Sequence, residues 1–216
     1  FFRRRVIKMI CIYTDKYTSR LKYIVDHIFK RILRQSINIV NKVEDLPTNS
    51  TTPTIIYSET LRVKGAFHII PNGLLFKKGV RQYDIEMINW EGEQAFFSTT
   101  GGDIPFDIFS AAFYLLSRYE EYLPIEDNFN DKGYFKSEKS LAYKEGFLEK
   151  PIIDIWVTKL EEKLESFFPE YQVSNEKRFR CLPIIAVNTP YRYRTYSILG
   201  NILRLGKKVV ERDWSE

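Results

Sequence analysis

The sequence predicts an α/β fold in which helices flank a mixed sheet, and three observations lead to this prediction. An apolar run, an amphipathic stretch and a second apolar run open the chain, in the order of a β-α-β unit. Short apolar runs separated by tight-turn residues follow, a pattern typical of antiparallel strands. Of the 216 residues, 44% are hydrophobic and 15% aromatic, which is enough for a packed core and too many for a disordered chain.

The β-α-β unit begins with a predicted strand at residues 9–15 (MICIYTD). An amphipathic helix follows, with Thr18 or Ser19 as its N-terminal cap. Residues 37–41 (INIVN) form the second strand, and the element order favours parallel pairing. Beyond a turn-rich loop, residues 54–59 (TIIYSE) form a third strand. The helix is predicted from apolar residues at i, i+3, i+4 spacing: Leu21, Ile24, Val25, Ile28, Phe29, Ile32 and Leu33.

Two hairpins are predicted in the middle of the chain. Residues 66–76 (AFHIIPNGLLF) place strand-like flanks around a Pro-Asn-Gly turn signal. Residues 85–98 place two short strands around Glu91-Gly92. Both predictions rest on turn chemistry between apolar flanks, so we expect antiparallel pairing at each.

Two further helices are predicted in the main domain, and a basic helix interrupted by Gly200 and Gly206 is predicted beyond Pro190. The first spans residues 106–123, and a loop rich in charged and turn residues follows at 124–140. The second begins at Pro151, since proline is favoured in the first turn of a helix, and Pro169 ends it. The core stripe of the first of these helices is predicted to be Phe109, Ala112, Phe113, Leu116 and Tyr119.

The predicted domain organisation has four parts. Residues 1–8 are an extension or tag-like segment, and residues 9–173 form the main α/β domain. A polar linker at 174–180 leads into a C-terminal fragment at 181–216. That fragment opens with a predicted buried strand at 182–187, which leads into a polar, aromatic and arginine-bearing loop.

The net charge of +5 conceals an uneven distribution. Residues 1–34 carry ten basic and two acidic side chains, and residues 177–216 carry nine and three. The middle, 35–176, carries fourteen and twenty-three. Basic ends suit an anionic partner, so an anion-binding module is one hypothesis. No nucleic-acid-binding motif accompanies the charge, and solvated basic faces account for it more simply.

Composition also suggests a location. No apolar run approaches the roughly 18 residues of a membrane-spanning helix. The apolar run after the basic start is shorter than the roughly 7–15 residues of a secretory signal, so no signal peptide is predicted. Cys11 and Cys181 both lie in predicted buried strands and are expected to be reduced, which suits a cytoplasmic protein.

The motifs that would carry chemistry are few. The sequence contains no GxSxG elbow, Walker loop or GxGxxG. His27 and His68 have no third ligand spaced with them, so a histidine metal site is not predicted. Residues 99–103 (TTGGD) precede a helix and admit an anion site, although glycine pairs are more often plain turns. Asp107 and Arg118 lie eleven residues apart, about three helical turns, and are predicted to share a helix face as candidate ligand-binding residues.

Three blocks of the chain resemble a known family. MICIYTDKYTSRLKYIVDHIFKRIL, PFDIFSAAFYLLSRYEEYLP and SLAYKEGFLEKPIIDIWVTKLEEKL are similar to the N-terminal region of polysaccharide deacetylase family proteins of Bacteroidetes. In that family this region is an accessory domain of unknown function. The resemblance implies that it precedes a (β/α) barrel deacetylase similar to carbohydrate esterase family 4, which uses a divalent metal such as zinc.

The same resemblance implies where the barrel's acids would fall. The family's first barrel strand carries a catalytic base and a metal ligand, and these positions fall on Ala186 and Asn188. Tyr191 and Tyr193 match the family's aromatic positions, and they are candidate ligand-binding residues together with Arg192. A deacetylase needs a metal to activate water and a base to accept its proton. Alanine supplies neither, so the resemblance implies a truncated barrel fragment with a degenerate site and no cofactor.

The predicted function is therefore a non-catalytic accessory or interaction domain linked to cell-envelope polysaccharide modification, with glycan binding as one candidate role. Its expected partner is a cell-envelope glycan, a protein or a second copy that buries the C-terminal fragment, with no specific nucleic acid. The alternatives are a metal-dependent polysaccharide deacetylase completed by missing sequence, an unrecognised hydrolase, and the anion-binding module.

Overall fold

The computed structural model describes residues 9–48, 51–169, 171, 181–186, 200, 202–203 and 206–207. The chain divides into two units, Phe1–Asn175 and Glu176–Glu216. This division lies inside the stretch predicted as a linker, 174–180. All of the strands and helices named below belong to the first unit.

A four-stranded parallel sheet forms the centre of the first unit and confirms the α/β class. Its strands are β1 (Met9–Thr14), β2 (Ser36–Val40), β3 (Thr54–Tyr57) and β4 (Phe67–Ile69), in the spatial order β2-β1-β3-β4. Five consecutive residues of β1 are buried, since side chains on both of its faces meet apolar neighbours. Burial on both faces is what a parallel sheet requires, and it accounts for the unbroken apolar runs in the sequence.

The predicted amphipathic helix is present, but its hydrogen bonding changes part-way. It begins as α1 (Ser19–Val25), with the Thr18 hydroxyl accepting a hydrogen bond from the Leu21 amide at 3.1 Å. It continues as a π-helix, Asp26–Ile32, whose last bond joins the Leu33 amide to the Ile28 carbonyl. The apolar spacing correctly predicted which face of the helix is buried. It could not predict the wider π-helical turns, because these differ from α-helical turns in their backbone hydrogen bonds.

One of the two predicted hairpins is confirmed and the other is wrong. β5 (Met87–Trp90) and β6 (Glu93–Phe96) pair antiparallel as a separate two-stranded sheet around Glu91 and Gly92, which both have positive φ. The predicted strands flanking the Pro-Asn-Gly turn do not pair with each other. β4 instead pairs in parallel with β3, and Leu74–Phe76 forms a 3-10 turn that buries two leucines in the core.

Three more helices follow the hairpin: α2 (Ile108–Leu116), α3 (Leu141–Lys144) and α4 (Ile152–Phe167). The helix predicted at 106–123 is correct at its centre but too long at its C-terminal end. The chain leaves α2 at Ser117, and a separate 3-10 turn, Tyr119–Tyr122, comes next. Among the described helices, none is both long and apolar enough to cross a membrane.

Aromatic packing fixes α4 against the hairpin. The Trp156 indole N–H donates to the Gln94 carbonyl at 2.9 Å, and its ring meets Phe96 and Phe106 edge-on. Trp156 is fully buried, so both its apolar body and its polar N–H are satisfied. Phe96 also meets the Tyr114 ring of α2 edge-on, so the hairpin contacts both helices, and a cavity opens between the end of α2 and the start of α4.

The C-terminal strand predicted at 182–187 is wrong for residues 182–186, which the structure describes. Residues 181–186 form no strand and are exposed, with Leu182 at 81% and Ile184 at 85% of their full accessibility. Cys181, predicted to be buried, is exposed as well. A strand needs a hydrogen-bonding neighbour, and no described strand pairs with this segment. An apolar run alone therefore did not suffice to predict a strand.

Candidate functional site

A cavity of about 480 Å³ opens between the end of α2, the turn that follows it, and the start of α4. This volume lies within the roughly 300–1,000 Å³ range of small-molecule sites. Apolar and aromatic side chains supply most of the lining, and a few polar groups converge on it. The polar and charged residues of the lining are Arg118, Glu120, Glu121, Ser137, Ser140, Lys150 and Asp154.

The end of α2 is shaped by an unusual backbone conformation. The Arg118 amide donates to the Leu115 carbonyl at 3.1 Å, which closes the last turn of the helix. Arg118 itself has φ of 51°, in the left-handed region that a non-glycine residue adopts rarely. The chain therefore turns sharply at Arg118, and Glu120 and Glu121 lie on a new 3-10 turn instead of continuing along the helix.

The opposite wall comes from the segment that the sequence showed only as a surface loop and from the residues after it. Ser140 caps α3, because its hydroxyl oxygen accepts from the Tyr143 amide at 3.2 Å. The same hydroxyl donates to the Ser137 carbonyl at 2.6 Å, which fixes the preceding turn. Phe147, Leu148 and Pro151 then lead into α4 and complete the wall.

Glu120 lies between this cavity and a second one of about 200 Å³, since it lines both together with Tyr114. Its carboxylate accepts a hydrogen bond from the Leu141 amide at 2.9 Å. Burial raises the pKa of Glu120; the Leu141 bond and Lys144 oppose the rise, and Glu121 adds to it. A half-buried carboxyl with a raised pKa in a cavity is a recognised sign of a functional group.

Tyr114 lines both cavities together with Glu120, and Tyr119 packs against Tyr114. Tyr114 stacks on Tyr119 with ring centroids 5.2 Å apart, and the Tyr119 hydroxyl accepts from the Arg81 amide at 2.8 Å. Burial raises the pKa of Tyr114 well above its ordinary value, and Glu120 raises it further. Tyr114 is therefore a neutral hydroxyl at physiological pH, able to donate or accept a hydrogen bond.

Arg118 and Asp107 were predicted to share a helix face, and the structure corrects this. Asp107 caps the start of α2 and is fully buried, whereas Arg118 follows the end of α2, is exposed and pairs with Glu121. Arg118 lines the cavity; Asp107 does not. The prediction failed because it assumed one continuous helix across both residues.

Asp107 belongs to a buried polar cluster instead. Its carboxylate accepts from the Tyr57 hydroxyl at 2.7 Å, the Asn72 amide at 2.7 Å, and the hydroxyl and amide of Ser110 at 2.5 and 3.0 Å. Burial raises the pKa of Asp107, and these hydrogen bonds oppose the rise. The cluster joins β3, the backbone amide of Asn72 in the loop after β4, and α2, so its role is to hold the core together.

The glycine pair at 99–103 and His68 are also structural in this arrangement. The Asp103 carboxylate accepts from the His68 amide at 2.6 Å, and the Asp103 amide donates to the His68 carbonyl at 2.8 Å. A Cβ on Gly102 would lie 3.0 Å from that same carbonyl, so the glycine permits this close approach. His68 Nε2 accepts from the Val63 amide, and His27 lies on the π-helix.

The resemblance to deacetylases implies a metal centre, and Ala186, the described residue at one of its implied positions, does not suit such a centre. Ala186 is exposed and has a methyl side chain, which offers neither a base nor a ligand. Asn188, Tyr191, Arg192 and Tyr193 lie outside the described residues. Within the described ranges, no group of three or more His, Cys, Asp or Glu side chains comes together.

Comparison with known proteins places the region that holds the cavity in a family. Residues 10–169 match the model of DUF7033, a family of unknown function. The chain belongs to the DUF7033 family. The DUF7033 match takes in nearly all of β1 and every later strand and helix named above, so both cavities lie within it. No curated protein and no solved structure matches the chain.

The sequence marked Glu120 as one of several acidic candidates, but it was not among the predicted site residues. Glu120 and Glu121 stand at the predicted end of a helix, where the macrodipole disfavours acids. An acid in such a place is a reason to look for a specific partner, and the Leu141 amide is that partner. Phe135, Ser137 and Ser140 carried no comparable signal, because their loop showed no period.

Proposed function

We propose that this DUF7033 chain is a non-catalytic accessory or interaction domain, related to polysaccharide deacetylases, that binds a glycan in the cavity at the end of α2. The observation that carries the proposal is the lining of that cavity. It combines aromatic and aliphatic walls with a small set of polar groups held in fixed places, which is the usual make-up of a ligand site.

A sugar ring matches this lining chemically, because it presents C–H groups on its faces and hydroxyls around its edge. Phe135 is partly exposed and Leu148 is exposed, so these two offer apolar surface for the ring faces, while Tyr114 and Phe147 are buried members of the same lining. Ser137 and Glu120 offer a hydroxyl and a carboxylate for the ring hydroxyls. A sugar can therefore form apolar contacts and hydrogen bonds with the same lining.

The polar groups are held before any ligand arrives. Glu120 is fixed by the Leu141 amide and Ser140 by two hydrogen bonds within its own turn. Phe147 is buried at 2% exposure and cannot change place without disturbing the core. Pre-organisation of this kind reduces the entropy lost on binding.

The non-catalytic part of the proposal rests on Ala186. Its methyl group supplies no proton acceptor at the position where the resemblance to deacetylases implies a base. In the cavity itself, Glu121 is engaged by Arg118. Glu120 accepts the Leu141 amide, and the proposal assigns it to binding.

Calorimetric titration of the full chain with soluble tetrasaccharides tests the proposal, using oligomers of glucosamine and of N-acetylglucosamine as probes. Ser137→Trp places an indole at the exposed edge of the cavity and should weaken binding of whichever oligomer binds at least tenfold. Thr51→Trp adds the same indole to an exposed turn that lines neither cavity, and it should leave binding unchanged.

Absence of binding for both oligomers would contradict the proposal. So would an equal loss of binding in the two tryptophan variants, because the effect would then not belong to the cavity. Both variants should first show the wild-type circular dichroism spectrum.

A further inference from the structure

Among the described residues that line the main cavity, the cationic side chains form ion pairs, whereas two of the acidic side chains do not. Its lining has two cations, Arg118 and Lys150, and three acids, Glu120, Glu121 and Asp154. Both cations are already engaged: Arg118 with Glu121, and Lys150 with Glu93 at 2.9 Å. Among the residues that the structure describes, Glu120 and Asp154 form no ion pair.

Glu120 is the more informative of these two acids. In the described part of the chain, the Leu141 amide is its one hydrogen-bond donor, although a carboxylate has room for about four. A half-buried carboxylate without a counter-ion loses hydration and gains little in return. A positive group on a ligand would restore what the fold leaves unsatisfied.

The cations near Glu120 approach from the other side. Lys144 and Lys139 line the second cavity and not the first, and Lys139 pairs with Asp127. Lys144 lowers the pKa of Glu120, but it forms no ion pair with it in the described structure. The lining of the main cavity therefore has one more acid than cation, and in the described structure its two acids without an ion pair, Glu120 and Asp154, are the ones open to a positive group on a ligand.

We infer that the glycan bound in this cavity carries a protonated amine, so that the site takes an amino sugar in preference to its N-acetylated counterpart. The inference rests on the proposed function and names the ligand class of that same site. The ammonium donates to the Glu120 carboxylate from inside the main cavity, and Asp154 contributes a second negative charge. N-acetylation converts the ammonium into a neutral amide, so it removes the charge that the cavity selects.

This preference gives the domain a place in a reaction sequence. Hydrolysis of an N-acetyl group releases acetate and leaves the free amine on the sugar. A site selective for that amine binds the product of N-deacetylation and not its substrate. It would hold the chain on glycan that has already been deacetylated.

The test compares two tetrasaccharides that differ only in acetylation, glucosamine tetramer and N-acetylglucosamine tetramer, titrated into the full chain at pH 6.5 and low salt. We expect the glucosamine tetramer to bind at least tenfold more tightly. Its affinity should fall as sodium chloride is raised, since part of the interaction is between charges.

Two variants separate charge from shape. Glu120→Gln keeps the size of the side chain and an oxygen acceptor for the Leu141 amide, and it should abolish most of the preference while leaving the protein folded. Glu162→Gln removes an exposed carboxylate of α4 that lines neither cavity, and the preference should persist.

Equal binding of the two tetramers, or tighter binding of the acetylated one, overturns this inference and leaves the proposed function standing. A Glu120→Gln variant that weakens both tetramers equally also overturns it, because the carboxylate would then serve general binding. Failure of both tetramers to bind overturns the inference together with the proposed function.

Discussion

The Glu120 carboxylate accepts a hydrogen bond from the Leu141 amide across 21 positions of sequence, at 2.9 Å. This bond joins the turn after α2 to the first residue of α3, and both segments line the cavity. It is therefore a direct contact between the two walls.

Removal of the acceptor should destabilise the protein. Glu120→Ala leaves the Leu141 amide without its partner, and an unsatisfied part-buried donor costs about 1–3 kcal/mol. Glu120→Gln retains an oxygen in the same place and should cost much less. Urea unfolding of both variants, followed by circular dichroism, measures the difference. An equal loss of unfolding free energy in the two variants would show that the Glu120–Leu141 hydrogen bond does not stabilise the wild-type protein.

The stability contribution of Glu120 should depend on pH in a defined direction. Burial raises the pKa of Glu120 in the folded state above the unfolded value of about 4.3, so the folded protein binds this proton more tightly. Its contribution is complete below the unfolded pKa and is lost as pH rises through the folded pKa. Glu120→Gln cannot titrate. The unfolding free energy of the variant relative to the wild type should therefore rise between about pH 4 and pH 7, and a flat difference would count against the assignment.

The buried cluster around Asp107 should be among the most sensitive places in the protein. Asp107→Ala removes an N-terminal cap and leaves the Tyr57 hydroxyl and the Asn72 amide unpaired inside the core. We expect a loss of about 3 kcal/mol or more in unfolding free energy, and incomplete folding at 37 °C is consistent with that size. Tyr57→Phe removes one donor and keeps the ring, so its cost should be about 1 kcal/mol. Thermal and urea unfolding of Tyr57→Phe provides the readout if Asp107→Ala does not fold.

The left-handed backbone at Arg118 predicts opposite effects for two substitutions. Arg118→Gly relieves the conformation and loses only an exposed ion pair, so it should raise the free energy of unfolding by up to about 1 kcal/mol. Arg118→Val places a β-branched residue at φ of 51° and should lower it. Urea unfolding of the two variants side by side tests the backbone explanation. A stabilising valine would contradict it.

Apolar spacing and turn residues, which can be read from short stretches of sequence, correctly predicted several elements of the fold. The β1–α1–β2 order, the parallel pairing and the hairpin at Glu91-Gly92 follow from apolar spacing and turn residues, and the structure confirms them. The helix after Asp107 was predicted at its centre because Phe109 and Ala112 mark a buried face. These elements are those in which each residue's neighbours along the chain determine its role.

Other parts depend on distant partners that a single sequence does not reveal. β4 pairs with β3 instead of folding back past the Pro-Asn-Gly turn, since β3 offers an open edge in the sheet. Residues 181–186 have the composition of a strand, but none of the described strands pairs with them. The cavity arises where residues 135–154 return to α2, and their sequence contains little periodicity. Glu120 was therefore visible as an acid at a helix end, but not as the residue between two cavities.

The two sides of the cavity differ in how deeply they belong to the core. Six of the nine residues of α2 are buried, so its side of the cavity cannot change without repacking the protein. The facing segment at 135–148 rests on caps, short turns and partly exposed side chains. Under the proposed function, exchanging residues in that segment can therefore alter which ligand the cavity prefers, while α2 and the sheet behind it stay as they are.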